Sequence, residues 1–285
     1  MLAVRSRAHA GDIVFNSSDA DAAITSQDVR DLHTYGLVFD TRWITIHDTA
    51  VDGSTPFNAN GLAKDKGGAP FKRPENGMFR PGTHFREFYF TETGDTNAQT
   101  EAGRDLGGFG ALFKLSQRRP SDDHGTLTLF FLCDVQHTGF DNLAFWTRDD
   151  LVVVEDAGDT LHTQRNALDS AYLFDVRLDF PNPANQPTRI LAQGRDPSAT
   201  IDSGLSGTTG FLNDGDNEIT GFHVSDGDPS PNGILGAKSP RPFNGDWRVF
   251  YTQQHGDNIT YEIIPNPYVA EVSEDGGRGR DREGR

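Results

Sequence analysis

A short pattern recurs along this chain and limits what it can fold into. An acidic residue and an asparagine are followed by two variable positions and a phenylalanine, and then by a strand that ends in glutamate. The first copy is Glu75-Asn76-Gly77-Met78-Phe79, whose strand Phe88-Tyr89-Phe90-Thr91 runs into Glu92. The second is Asp141-Asn142-Leu143-Ala144-Phe145, whose strand Leu151-Val152-Val153-Val154 runs into Glu155. Gly-Asp follows in both, at Gly94-Asp95 and Gly158-Asp159. A weaker third copy is read at Asp216-Asn217-Glu218-Ile219, with Phe222 behind it and a strand Val249-Phe250-Tyr251-Thr252 leading to Gly256-Asp257. Asn76, Asn142 and Asn217 stand 66 and 75 residues apart. A unit repeated at such an interval cannot bury its own faces and must stack on its neighbours.

The segments between the copies read as further strands. Aromatic and β-branched runs such as Thr126 to Leu132, Ala171 to Val176 and Ile259 to Ile264 are bounded by turn residues. The 20 phenylalanines supply large buried areas to short strands. The expectation is an all-β chain, a β-propeller or partial propeller of about four blades over residues 31–270. Residues 1–30 read as an irregular N-terminal segment, 52–70 as a loop and His162 to Ser170 as a helical turn or ordered loop. Residues 271–285 lack an apolar anchor and read as a disordered tail.

The formal charge of −16, from 42 acidic and 26 basic residues, repels nucleic acid and anionic membranes and is compatible with bound cations. No stretch approaches the roughly 20 apolar residues of a membrane helix. Met1 to Phe15 has no apolar run of a secretory signal. The single cysteine, Cys133, follows Leu129-Phe130-Phe131-Leu132 and reads as a small buried hydrophobe.

If the units are blades, the acid-asparagine pairs converge where the first strands meet. Converging carboxylates repel unless a cation neutralises them, and Ca²⁺ takes six to eight oxygen ligands. Glu75, Glu92, Asp141, Asn142 and Glu155 are the candidate metal ligands. The alternative is turn chemistry, which Asn and Asp perform routinely. Asn213 to Glu218 is a separate acidic cluster, without the spacing of an EF-hand loop. His47 at a strand end reads as a proton-transfer candidate, and the histidines show no zinc spacing.

Phe71-Lys72-Arg73-Pro74-Glu75-Asn76-Gly77, with Phe88 to Gly94 and Asp141 to Phe145, resembles the PhoX family of alkaline phosphatases. The resemblance spans 70–160, and 160–265 more loosely. It implies a β-propeller that hydrolyses small phosphomonoesters with calcium and iron, in the periplasm or secreted. Glu75 and Glu155 are then metal ligands, and Arg73 orients the substrate phosphate as the catalytic residue. The family's Cys-Glu-Glu iron motif has no counterpart before residue 70, and Cys133 stands in a different context. The family's twin-arginine export signal is likewise missing. The expectation is therefore a divergent or N-terminally truncated member. A non-catalytic calcium-binding propeller, used for ligand or protein binding, is the alternative. A lactonase-like propeller hydrolase is a third reading.

Overall fold

The computed structural model describes residues 1–16, 18–94, 103–156, 169–192, 218–234, 237–254 and 259–266. The chain is mostly β, in three antiparallel sheets. The first sheet holds β1 (Leu2–Val4), β2 (Val38–Trp43), β3 (Pro74–Phe79), β4 (Glu87–Glu92), β5 (Ala111–Ser116) and β6 (His124–Leu132), in the order β1-β2-β6-β5-β4-β3. It curls into a half-barrel. The second is a four-stranded meander of β7 (Phe140–Phe145), β8 (Asp150–Glu155), β9 (Ser170–Asp175) and β10 (Thr188–Ala192). The third joins β11 (Glu218–Ser225), β12 (Arg248–Gln254) and β13 (Thr260–Ile263).

Alternation along the strands decides how the sheets stack. Tyr89, Leu112 and Phe131 leave the first sheet on one face and meet Leu143, Phe145, Val153 and Phe174 of the second. Ala144, Val152 and Val154 leave the opposite face and meet Ile219, Phe222, Val224 and Val249 of the third. β7 therefore lies between β3 and β11 and packs on both. Three meanders joined through their first strands are consistent with part of a propeller.

The two outer faces are finished differently. Inside the half-barrel, Leu2, Val4, Ile13 and Phe39 cover Phe113, Leu115 and Leu127 of the first sheet. The outward face of the third sheet carries Arg248 and Glu262, which pair with each other. That face alternates polar against the apolar face beneath it.

Residues 1–30, expected to be irregular, contribute β1 and two short helices, α1 (Ala20–Ile24) and α2 (Gln27–Leu32). Ser26 caps α2 by accepting from the Val29 N–H, and Val29 and Leu32 are buried. The 52–70 segment holds α4 (Ala59–Asp65), capped by Asn58, after the single turn α3 (Thr49–Asp52). The strand expected at Trp43 to Ile46 ends at Trp43. The helical turn expected near 162–170 falls largely outside the described residues, as does the tail 271–285.

Candidate functional site

The repeat is built on one turn, and strand register shows how. Pro74 pairs with Glu92 and Gly77 with Phe90, with a bulge between. Phe140 pairs with Glu155 and Asn142 with Val154, again with a bulge between. The bulge adds a residue to the first strand and turns its side chains outward at the strand's start. Glu75 and Asp141 sit there, each followed by its asparagine. In the third sheet Ile219 pairs with Gln253 and Gly221 with Thr252. Thr220 and Gly221 thus occupy the places of the acid and the asparagine. The third copy read from sequence is therefore out of phase, and Asp216 and Asn217 lie outside the described residues.

The two strand-end glutamates do not reach the mouth. Glu92 and Glu155 are fully buried. Glu92 accepts a hydrogen bond from the Lys72 N–H, two residues before β3. Glu155 accepts one from the Thr138 N–H at 3.0 Å, two residues before β7. Each glutamate brackets the entry to its neighbouring strand. Glu92 also faces His33, whose Nε2 lies 2.6 Å from Glu92 Oε2. His33 Nδ1 lies 2.7 Å from the Val29 carbonyl, which only accepts, so Nδ1 carries a proton. One further proton is shared between the imidazole and the carboxylate. The expected ligand roles of Glu92 and Glu155 thus meet carboxylates turned into hydrogen-bonded interior positions.

Glu75, Asp141 and Asn142 do come together. Asp141 Oδ2 accepts from Asn142 Nδ2 at 2.7 Å, and Asn142 Oδ1 accepts from Asn76 Nδ2 at 2.7 Å. The carboxylate fixes the sense of this relay, because it can only accept. Thr91 ties the backbone beneath, donating to the Asp141 carbonyl at 2.6 Å and accepting from the Asn76 N–H at 3.1 Å. Burial, then the charges of Asp156 and Glu75, push the Asp141 carboxyl up to about 6, against the opposing pull of Asn142 and Arg73. Asp156, next in sequence to Glu155, is the member that the repeat pattern missed. The acidic Glu155-Asp156 pair at a strand end was its only signal. His33 gave no signal, standing 59 residues from its partner.

Arg73 borders this cluster, with Nε 3.8 Å from Glu75 Oε1. Its φ of 57° lies in the left-handed region. Gly139, at the matching place before β7, has φ 66°. The turn suits glycine, and an arginine held there is strained.

Hard-oxygen donors of the calcium kind are present, but among the described residues no group of three or more His, Cys, Asp or Glu is arranged to hold a metal ion. The cluster as it stands offers part of a coordination set. Cys133 does not present the thiolate that the family's iron site uses: it is fully buried, and burial beside Asp134, Glu155 and Glu92 raises its thiol well above the ordinary range. His47 stacks on Phe57 at 4.0 Å and bonds the Gly53 carbonyl at 3.0 Å, away from the cluster. Among the described residues no helix is long and apolar enough to cross a membrane.

No family model matches the chain, and no curated protein matches it. Among solved structures, one that it resembles is Pseudomonas fluorescens PhoX in complex with vanadate, a transition state analogue, at 14% identity and a TM-score of 0.44. The match covers 76% of this chain and 37% of that one, so the chain spans little more than a third of that structure's length.

Proposed function

We propose that this chain is a PhoX-like partial propeller in which Glu75 and Asp141, beside the charge of Asp156, supply part of the coordination of a calcium ion, and that it acts there on small phosphomonoesters. The observation that carries this is the half-sheltered Asp141 carboxyl beside two further carboxylates: burial, then the charges of Asp156 and Glu75, lift it to about 6. Such an excess of negative charge at a strand mouth is relieved by a hard cation. A bound divalent cation would supply charge neutralisation to a phosphate. The chain's own residues do the rest. Arg73, held in a strained turn at the edge of the cluster, offers its guanidinium to phosphate oxygens. Asn142 orients the Asp141 carboxylate through the 2.7 Å hydrogen bond.

The test is turnover of p-nitrophenyl phosphate in calcium and in EDTA, with Arg73→Ala alongside. The reading expects turnover only in calcium, lost in the variant. Turnover indifferent to EDTA would sink it.

A second reading, a cation-binding module without catalysis, draws on Glu92 and Glu155. Their carboxylates are withdrawn into the interior, leaving fewer ligands at the mouth. Calcium binding without turnover would select it.

A further inference from the structure

The asparagine relay has two members where the repeat has three positions. Asn76 and Asn142 stand at matching places in the first and second sheets, and Gly221 stands at that place in the third. Where a third amide would project there is a notch. A cavity of about 240 Å³ runs beside the relay, lined by Asn76, Asn142, Gly221, His223, Phe250 and Thr252 among others. A Cβ at Gly221 would stand 2.7 Å from Thr252 Oγ1, so the notch depends on glycine.

The chemistry of this wall is mixed in a specific way. Asp141 fixes the relay so that Asn76 Oδ1 points away from Asn142 as an acceptor, and no partner for that oxygen is seen among the described residues. Thr252 Oγ1 and the exposed His223 ring add hydroxyl and imidazole partners. Phe250 adds a ring face, with the Arg248 guanidinium 5.3 Å from its centroid. Planar amides bond vicinal hydroxyls, and an aromatic ring covers the C–H face of a sugar. A purely aryl group would leave the amide acceptor unmatched.

We infer that this notch holds the hydroxylated half of the substrate, so that the site prefers sugar or polyol phosphates to aryl phosphates. The inference rests on the phosphate reading above and adds the specificity-determining residues Gly221 and Phe250.

Binding, measured by isothermal titration in calcium, tests it with inorganic phosphate and with the non-hydrolysable phosphonate analogues of phenyl phosphate and glucose 6-phosphate. The wild-type chain is expected to bind the glucose analogue about tenfold tighter than either other ligand. Phe250→Ala, at a half-buried position on the polar face, is expected to erase that advantage and leave phosphate affinity unchanged. Equal affinity for the three ligands in the wild type, or an advantage that survives Phe250→Ala, would overturn the inference. If inorganic phosphate fails to bind while the glucose analogue binds and needs Phe250, the phosphate reading falls and the notch stands. If no ligand binds, both fall.

Discussion

In the first two sheets the second strand ends in a fully buried glutamate, Glu92 or Glu155; in the third, register puts Gln253 at that place. The bulge residues follow the same division, with Glu75 and Asp141 against Thr220. The bulge is common to all three sheets, yet only two copies are acidic. Its geometry therefore does not require charge. What the first two strand ends share is a side chain with an acceptor oxygen, which holds the N–H that leads into the paired strand, β3 or β7. The acids at the bulge carry no such bracket. They add crowding instead, which makes them the better candidates for function.

The sharpest way to break this comparison is at Glu92. Glu92→Ala leaves His33 and the Lys72 N–H buried without their acceptor, and is expected to cost about 3–5 kcal/mol. Glu92→Gln copies the third sheet and is expected to cost about 1–2 kcal/mol, because the amide oxygen still accepts. Urea unfolding with an unchanged slope measures both. Equal losses would show that charge, not the acceptor, holds the bracket.

Asp141 tests the other half. Its folded carboxyl is raised to about 6, above the roughly 3.9 of an unfolded aspartate. Between those values the folded chain binds more protons than the unfolded chain, so stability falls as pH rises through the window. In EDTA, Asp141→Asn is expected to gain about 1–2 kcal/mol at pH 7.5, a gain that fades below pH 4. Thermal midpoints across pH follow it. A loss at pH 7.5 would mean that the carboxylate is stabilising in place.

The smallest change in stability belongs to Arg73. Arg73→Gly matches Gly139 and relieves the left-handed strain, for a gain of about 1 kcal/mol. The same substitution is expected to abolish phosphate binding. A stabilised chain that keeps its phosphate affinity would place the anion elsewhere.

Much of this was legible in the sequence. The aromatic and β-branched runs at Phe88–Thr91, Leu151–Val154 and Trp247–Thr252 coincide with β4, β8 and β12, because alternation and side-chain shape act locally. The pairing of Glu75 with Asp141 was legible as a repeat. The burial of Glu92 and Glu155 was not, since a glutamate at a strand end reads the same whether it faces solvent or the next sheet. His33 was not legible either, because its partner is fixed by how α2 docks on the half-barrel. The third copy went out of phase because Asp216-Asn217 imitates the motif, whereas register is set by the apolar alternation of Ile219, Phe222 and Val224. The N-terminal strand escaped notice because three residues, Leu2 to Val4, carry too little pattern.

Calcium titration of the wild-type chain and of Glu75→Gln combined with Asp141→Asn, at pH 7.5 by calorimetry, tests the central claim most directly. The account predicts one calcium ion per wild-type chain and none in the variant, with both chains folded. Equal binding by the two chains, or no heat from the wild type at millimolar calcium, would contradict it.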